Sequence, residues 1–189
     1  TFVRQVGSPG SEEGHLLEPT GVAVTRRGHI VVADYQNHRV QVFDSSGAFI
    51  RTFGEAGSRE GHFNHPSGIA MTQEGNIIVA DYQNDRIQIF EEDGTLVRTI
   101  GKHGDGPGEF DRPFDVAVSV DGHILVTDYE NHRVQIFSED GTFLKQFGTH
   151  GSNDSQFDSP GGVAVSSEGL VCVTDCGNGR FQIYSCDGP

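Results

Sequence analysis

The chain has 189 residues, with 13 Lys and Arg against 27 Asp and Glu, for a formal net charge of −14. That length allows one domain with a substantial core. The acidic balance disfavours a phosphate-backbone partner, and no apolar run approaches the roughly 20 residues that a membrane helix needs.

The chain opens at Thr1 without a methionine, as a processed product or an excised fragment would, and carries no charged-then-apolar signal segment. The first strand signal is "TFVRQVG" at residues 1–7, followed by a Gly-rich loop that ends at Pro19. Then come "GVAV" at 21–24, a turn closed by Gly28, "HIVVAD" at 29–34, a turn through Tyr35 to His38, and "RVQVF" at 39–43. A turn at Ser46 and Gly47 leads into "FIRTFG" at 49–54 and a second Gly-rich loop. Runs rich in Val, Ile and Phe, bounded by Gly and Asp, mark strands. No segment of useful length has a helical period.

The rest of the chain repeats this unit every 47 residues. Pro19, Pro66, Pro113 and Pro160 keep the period, as do Gly28, Gly75, Gly122 and Gly169. The motif "VVADYQNHRV" returns as "IVADYQNDRI", "LVTDYENHRV" and "VTDCGNGRF". The second strand of each unit is apolar almost throughout, as expected of a strand packed on both sheet faces. Four-stranded units of this length, stacked face to face, predict an all-β chain, a β-propeller of four blades with four antiparallel strands each. The blades are expected at about 19–54, 66–101, 113–148 and 160–188, in a single domain. Residues 1–7 align with "AFIRTFG" at 48–54, so they are expected to serve as a closing strand that completes the last blade and hides its edge.

These units resemble NHL repeats, the propeller module at the C-terminal end of tripartite-motif proteins. The resemblance covers essentially the whole chain. It implies a recognition platform, for proteins in some members and RNA hairpins in others, with any ubiquitin-ligase chemistry in a RING domain that this sequence lacks. Propellers of that family usually have six blades and this chain supplies four, so self-association to close or complete the ring is a further expectation.

The repeated residues Asp34, Asn37 and Arg39, with Asp81, Asn84 and Arg86, Asp128, Asn131 and Arg133, and Asp175, Asn178 and Arg180, read as structural staples. Asp and Asn bond to nearby backbone N–H groups in turns, and a half-buried Asp needs its Arg. A catalytic constellation is needed once, whereas a staple is needed in every blade. Leu16, Phe63, Phe110 and Phe157 also keep the period and read as plugs beneath the loops. The varying positions of the same turn carry more information about partners: Tyr35, Tyr82 and Tyr129, then His38, Asp85 and His132. An up-and-down blade puts this turn and the inter-blade loop on one face, where the tyrosines either build a recognition patch or shield the turn. Arg59, Lys102 and Arg112, the few cations of the loops, join them as partner-binding candidates.

No cofactor and no metal site is expected. Cys172 and Cys176 lack zinc half-site spacing, and the clustered, odd set they make with Cys186 points to a reducing compartment. The histidines His62, His65, His103 and His150 lie in loops whose geometry the sequence does not fix. The expected function is a non-enzymatic, cytoplasmic protein-binding module. RNA-hairpin binding is the alternative, opposed by the acidic loops, and a metal-dependent enzyme built around the channel is a third reading. Asp115 is the one acid among the first strands that would line such a channel.

Overall fold

From Pro19 onward, the β-branched runs read from the sequence form strands. The computed structural model describes residues 1–185, so Cys186 and the end of the span expected to reach 188 lie outside the described residues. The first sheet joins β1 (Pro19–Val24), β2 (Ile30–Asp34), β3 (Arg39–Phe43) and β4 (Phe49–Phe53) in chain order. The second joins β5 (Pro66–Met71), β6 (Ile77–Asp81), β7 (Arg86–Phe90) and β8 (Leu96–Ile100). The third joins β9 (Pro113–Val118), β10 (Ile124–Asp128), β11 (Arg133–Phe137) and β12 (Phe143–Phe147). The last holds β13 (Pro160–Val165), β14 (Val171–Asp175) and β15 (Arg180–Tyr184). All neighbouring strands are antiparallel, and the architecture is a β-propeller.

The first strands pack side by side, β1 on β5, β5 on β9 and β9 on β13. The core lies between successive sheets rather than within any one of them. Val31 and Val40 meet Ile69 and Val79 at the first seam, and Ile78 and Ile87 meet Val116 and Ile124 at the second. Leu125 and Val134 meet Val163 and Val173 at the third. β6 and β10 are buried along their whole length, which is why their sequences do not alternate.

One expectation is corrected. Residues 1–7 form no strand, and the last sheet holds three strands among the described residues. Instead, the Arg4 guanidinium donates to the Ser46 carbonyl and Val6 abuts Gly47, both on the first sheet's outer turn. Arg51 and Arg98, one and two repeats on, donate in the same way to the Glu92 and Asp140 carbonyls of the following blades. The opening residues therefore sit where the outer strand of a preceding blade would sit. No strand pairing joins the first sheet to the last among the described residues.

Side-chain exposure tells the same story. Val22 is 63% exposed, whereas its equivalents Ile69, Val116 and Val163 are buried. At the other end Phe181 is 65% exposed, against buried Val40, Ile87 and Val134. Each outermost blade turns an apolar face outward because, among the described residues, no further sheet covers it. Val22→Asp should therefore change unfolding free energy by no more than about 0.5 kcal/mol. Ile69→Asp, which strands a charge inside a seam, should cost more than about 3 kcal/mol. Urea unfolding of the two variants checks this, and equal losses would mean that the first blade's face is covered.

Candidate functional site

Every blade carries the same buried hub. In the second blade Asp81 has no exposed surface. Its Oδ1 accepts the Asn64 N–H at 2.7 Å, and its Oδ2 accepts Arg86 Nε at 2.7 Å and Gln88 Nε2 at 3.0 Å. Asn84 Nδ2 donates to the same carboxylate and to the Gly57 carbonyl, and Arg86 continues to the carbonyls of Ser58, Arg59 and His62. The hub thus pins the entire inter-blade loop to β6 and β7. Equivalent bonds join Asp34, Asn37 and Arg39, then Asp128, Asn131 and Arg133, then Asp175, Asn178 and Arg180.

A fourth member escaped the sequence reading. Gln41, Gln88, Gln135 and Gln182 each donate to the aspartate and to a loop carbonyl while accepting a loop N–H. The signal was available: a glutamine recurs every 47 residues in the middle of an otherwise apolar strand. A buried amide at such a place needs partners for both ends.

The varying turn residues divide into two groups. His38, Asp85 and His132 occupy a left-handed position (φ 54°, 53° and 53°), and Gly179 takes the same conformation without a side chain (φ 62°). Each of the three side chains accepts a backbone N–H from the next blade. His65 N donates to His38 Nδ1 at 3.1 Å, Arg112 N to Asp85 Oδ1 at 2.8 Å, and Ser159 N to His132 Nδ1 at 3.0 Å. Histidine and aspartate alternate here because Nδ1 and Oδ1 put an acceptor in nearly the same place. Those N–H groups belong to residues that themselves have positive φ, so the bond helps hold a strained backbone before each proline.

This bond makes the first seam sensitive to pH. Burial, reinforced by the neighbouring His65, holds the His38 imidazole below its ordinary value of 6.5. A lowered value in a base means that the folded chain favours the neutral ring. Its contribution is therefore complete above about pH 6.5 and is lost as pH falls through the depressed folded-state value. Melting temperature should drop between pH 7 and pH 5, and His38→Asn, which keeps an acceptor, should reduce that drop. An identical pH profile in the variant would contradict this.

The tyrosines form the second group. Tyr35 packs at a tilt against His65 with ring centres 4.7 Å apart and lies 6.3 Å from Tyr82. Tyr82 meets Phe114 edge-on at 5.9 Å, and Phe114 lies 5.9 Å from Tyr129. Three blades thus share one half-buried aromatic track, to which His65 and Phe114 contribute although the sequence reading gave them no partner-binding role. Burial pushes the phenols of Tyr35 and Tyr82 up, so both remain O–H donors. Arg112 lies along the track, interacting with Tyr82 and pairing with Glu130 at 2.9 Å. Lys102 pairs instead with Glu109 in its own loop, and the exposed Arg59 contributes its carbonyl to the hub, so neither joins the track.

Asp115 lies apart from both groups, on the first-strand side. Its two carboxylate oxygens accept the N–H groups of Val116 and Val163, each at 2.9 Å, and burial pushes its carboxyl up. It brackets two blades. Cys172 and Cys176 are free thiols. No helix among the described residues is long and apolar enough to cross a membrane.

Comparison with known proteins agrees with this geometry. A family model described as NHL repeat matches residues 16–43, 110–137 and 157–184, and one described as a 6-bladed beta-propeller matches residues 59–120. Over 43 residues the chain is 58% identical to the B-box type zinc finger protein ncl-1 of Caenorhabditis elegans and 54% identical to the E3 ubiquitin-protein ligase TRIM71 of Bos taurus. Each of these matches takes in 23% of this chain and only 5% of the relative. The virginiamycin B lyase from Staphylococcus aureus superposes with a TM-score of 0.69 at 12% identity, over 90% of this chain and 53% of that one. That likeness is one of fold alone. The class is a β-propeller whose blades are closed by a buried Asp-Asn-Arg-Gln hub. Three of its four units match the NHL repeat, and the chain is similar to NHL-repeat propellers.

Proposed function

We propose that this propeller is a non-enzymatic, single-domain binding module whose loop face holds a protein partner. The observation that carries the reading is the aromatic track of Tyr35, Tyr82, Phe114 and Tyr129, which crosses three blades on that face. Half-buried tyrosines lose little entropy on binding and dominate recognition surfaces. The aspartates that might do chemistry are engaged: each hub carboxylate is surrounded by donors, and each Asp115 oxygen accepts a backbone N–H.

Similarity to a ubiquitin-protein ligase supports the finer reading that the module selects substrates for such an enzyme, within a cytoplasmic parent. The outward apolar faces at Val22 and Phe181 support self-association that completes the propeller. Acidic loops disfavour an RNA partner.

The test is capture from cell lysate with the wild-type chain and with a Tyr35→Ala/Tyr82→Ala/Tyr129→Ala variant. A specific protein retained by the first and lost by the second, at near-equal melting temperature, is the expected result. Retention by both would move the binding surface elsewhere. Sub-micromolar, sequence-dependent binding of an RNA hairpin at moderate salt would replace the protein reading.

A further inference from the structure

We propose that His132, His150 and Asp158 form a binding site for a divalent transition-metal ion of the zinc class, at the seam between the third and fourth blades. The ligand atoms of these three side chains all lie within 4.8 Å of one another. His132 Nδ1 is 3.8 Å from Asp158 Oδ1, and the rings of His132 and His150 are centred 4.3 Å apart. Zinc bound at about 2.0–2.1 Å by nitrogen and oxygen needs donors roughly 3.3 Å apart. Modest rotation of the exposed His150 ring closes the remaining gap.

The fold supplies what the sequence did not. His132 is held at the left-handed end of its turn (φ 53°). Asp158 is tied on both sides, its N–H donating to Asp175 Oδ1 and its carbonyl accepting the Gly177 N–H, both at 2.7 Å. Gly177 also makes room for the carboxylate, because a Cβ there would overlap it. Two imidazoles and one carboxylate with an open fourth position favour zinc and its neighbours over magnesium or calcium. A chain of net charge −14 draws cations toward it.

The other seams show how the site depends on residue identity. One repeat earlier, Asp85, His103 and Asp111 converge in the same way, but offer two hard oxygens and one nitrogen. At the first seam the equivalent residues are His38, Ala56 and Asn64, and the described residues there form no such triad. The third seam thus has the donor set best matched to zinc among the described residues.

In the resting chain His132 Nδ1 accepts the Ser159 N–H at 3.0 Å. An ion bound at that nitrogen takes its lone pair and releases the N–H, so the Ser159 amide reports occupancy directly. The experiment is titration of the whole 189-residue chain with zinc chloride, followed by calorimetry and by amide NMR. One ion should bind per chain with a shift at Ser159, and melting temperature should rise and then return with chelator. His150→Ala, at an exposed position, should leave metal-free melting unchanged and weaken binding by more than the roughly 10–100-fold that loss of an outer-shell partner costs. His103→Ala should leave the affinity intact. Absence of saturable binding below millimolar zinc would overturn the site. So would unchanged affinity in His150→Ala, or loss of binding in His103→Ala.

Discussion

Asp128→Ala is expected to lower unfolding free energy by about 3–5 kcal/mol, the cost of leaving a buried charge without its partner. Asp128 is fully buried and Arg133 is 6% exposed, with Nε 2.7 Å from the carboxylate. Deletion also orphans the Asp111 N–H and removes one of the two acceptors of the Asn131 and Gln135 amides. For a chain of this size the loss corresponds to a fall in melting temperature of roughly 6–20 °C. Asp175→Ala should cost less. Its partner Arg180 is 29% exposed, because no strand covers that edge among the described residues, and water can replace the lost acceptor. Circular dichroism melting of both variants gives the comparison. Unchanged melting in Asp128→Ala would mean that the hub is not what holds the blade.

The second large effect belongs to the loop plugs. Phe110→Ala should cost about 3–5 kcal/mol, the usual loss when a buried ring leaves a cavity. Phe110 has no exposed surface, lies 5.6 Å from Phe137, and fills the seam between the second and third sheets. The loop wraps over it through the His103–Phe110 bridge, with the Phe110 N–H on the Lys102 carbonyl at 2.8 Å. Gly101 makes that close fit possible. It has φ +91°, and a Cβ there would overlap the ring, so Gly101→Ala should also destabilise, by about 1–3 kcal/mol. Urea unfolding is the measurement, and a loss under 1 kcal/mol in Phe110→Ala would show that the loop is held by the hub alone.

Much of this architecture was legible because the repeat removes ambiguity. A single "HIVVAD" is a weak strand signal, but four copies at 47 residues define a blade. The aspartate, asparagine and arginine of the hub were readable for the same reason. Gln88 was missed because a polar residue inside "RIQIF" reads as a solvent-facing strand position, and its burial depends on a loop 26 residues away. The histidines show the opposite difficulty. His38 and His132 were grouped with the tyrosines as partner candidates, yet their Nδ1 atoms bond across a seam, a contact between blades that no local pattern encodes. The place of residues 1–7 was misread because alignment reveals what a segment resembles, not which sheet lies beside it. Four wedges do not bring β15 round to the chain's first residues among those described.

The central proposal is a division of labour, in which the constant hub residues hold each blade and the tyrosines on the same face recognise a partner. Its most direct test measures melting temperature and partner capture side by side on Asp128→Ala and on the triple tyrosine variant. The prediction is a crossed outcome, in which the aspartate variant loses stability and, below its own melting point, still captures the partner. The tyrosine variant melts near the wild-type temperature and captures nothing. An aspartate variant with wild-type melting that no longer binds would contradict the division and make the repeated motif itself the site.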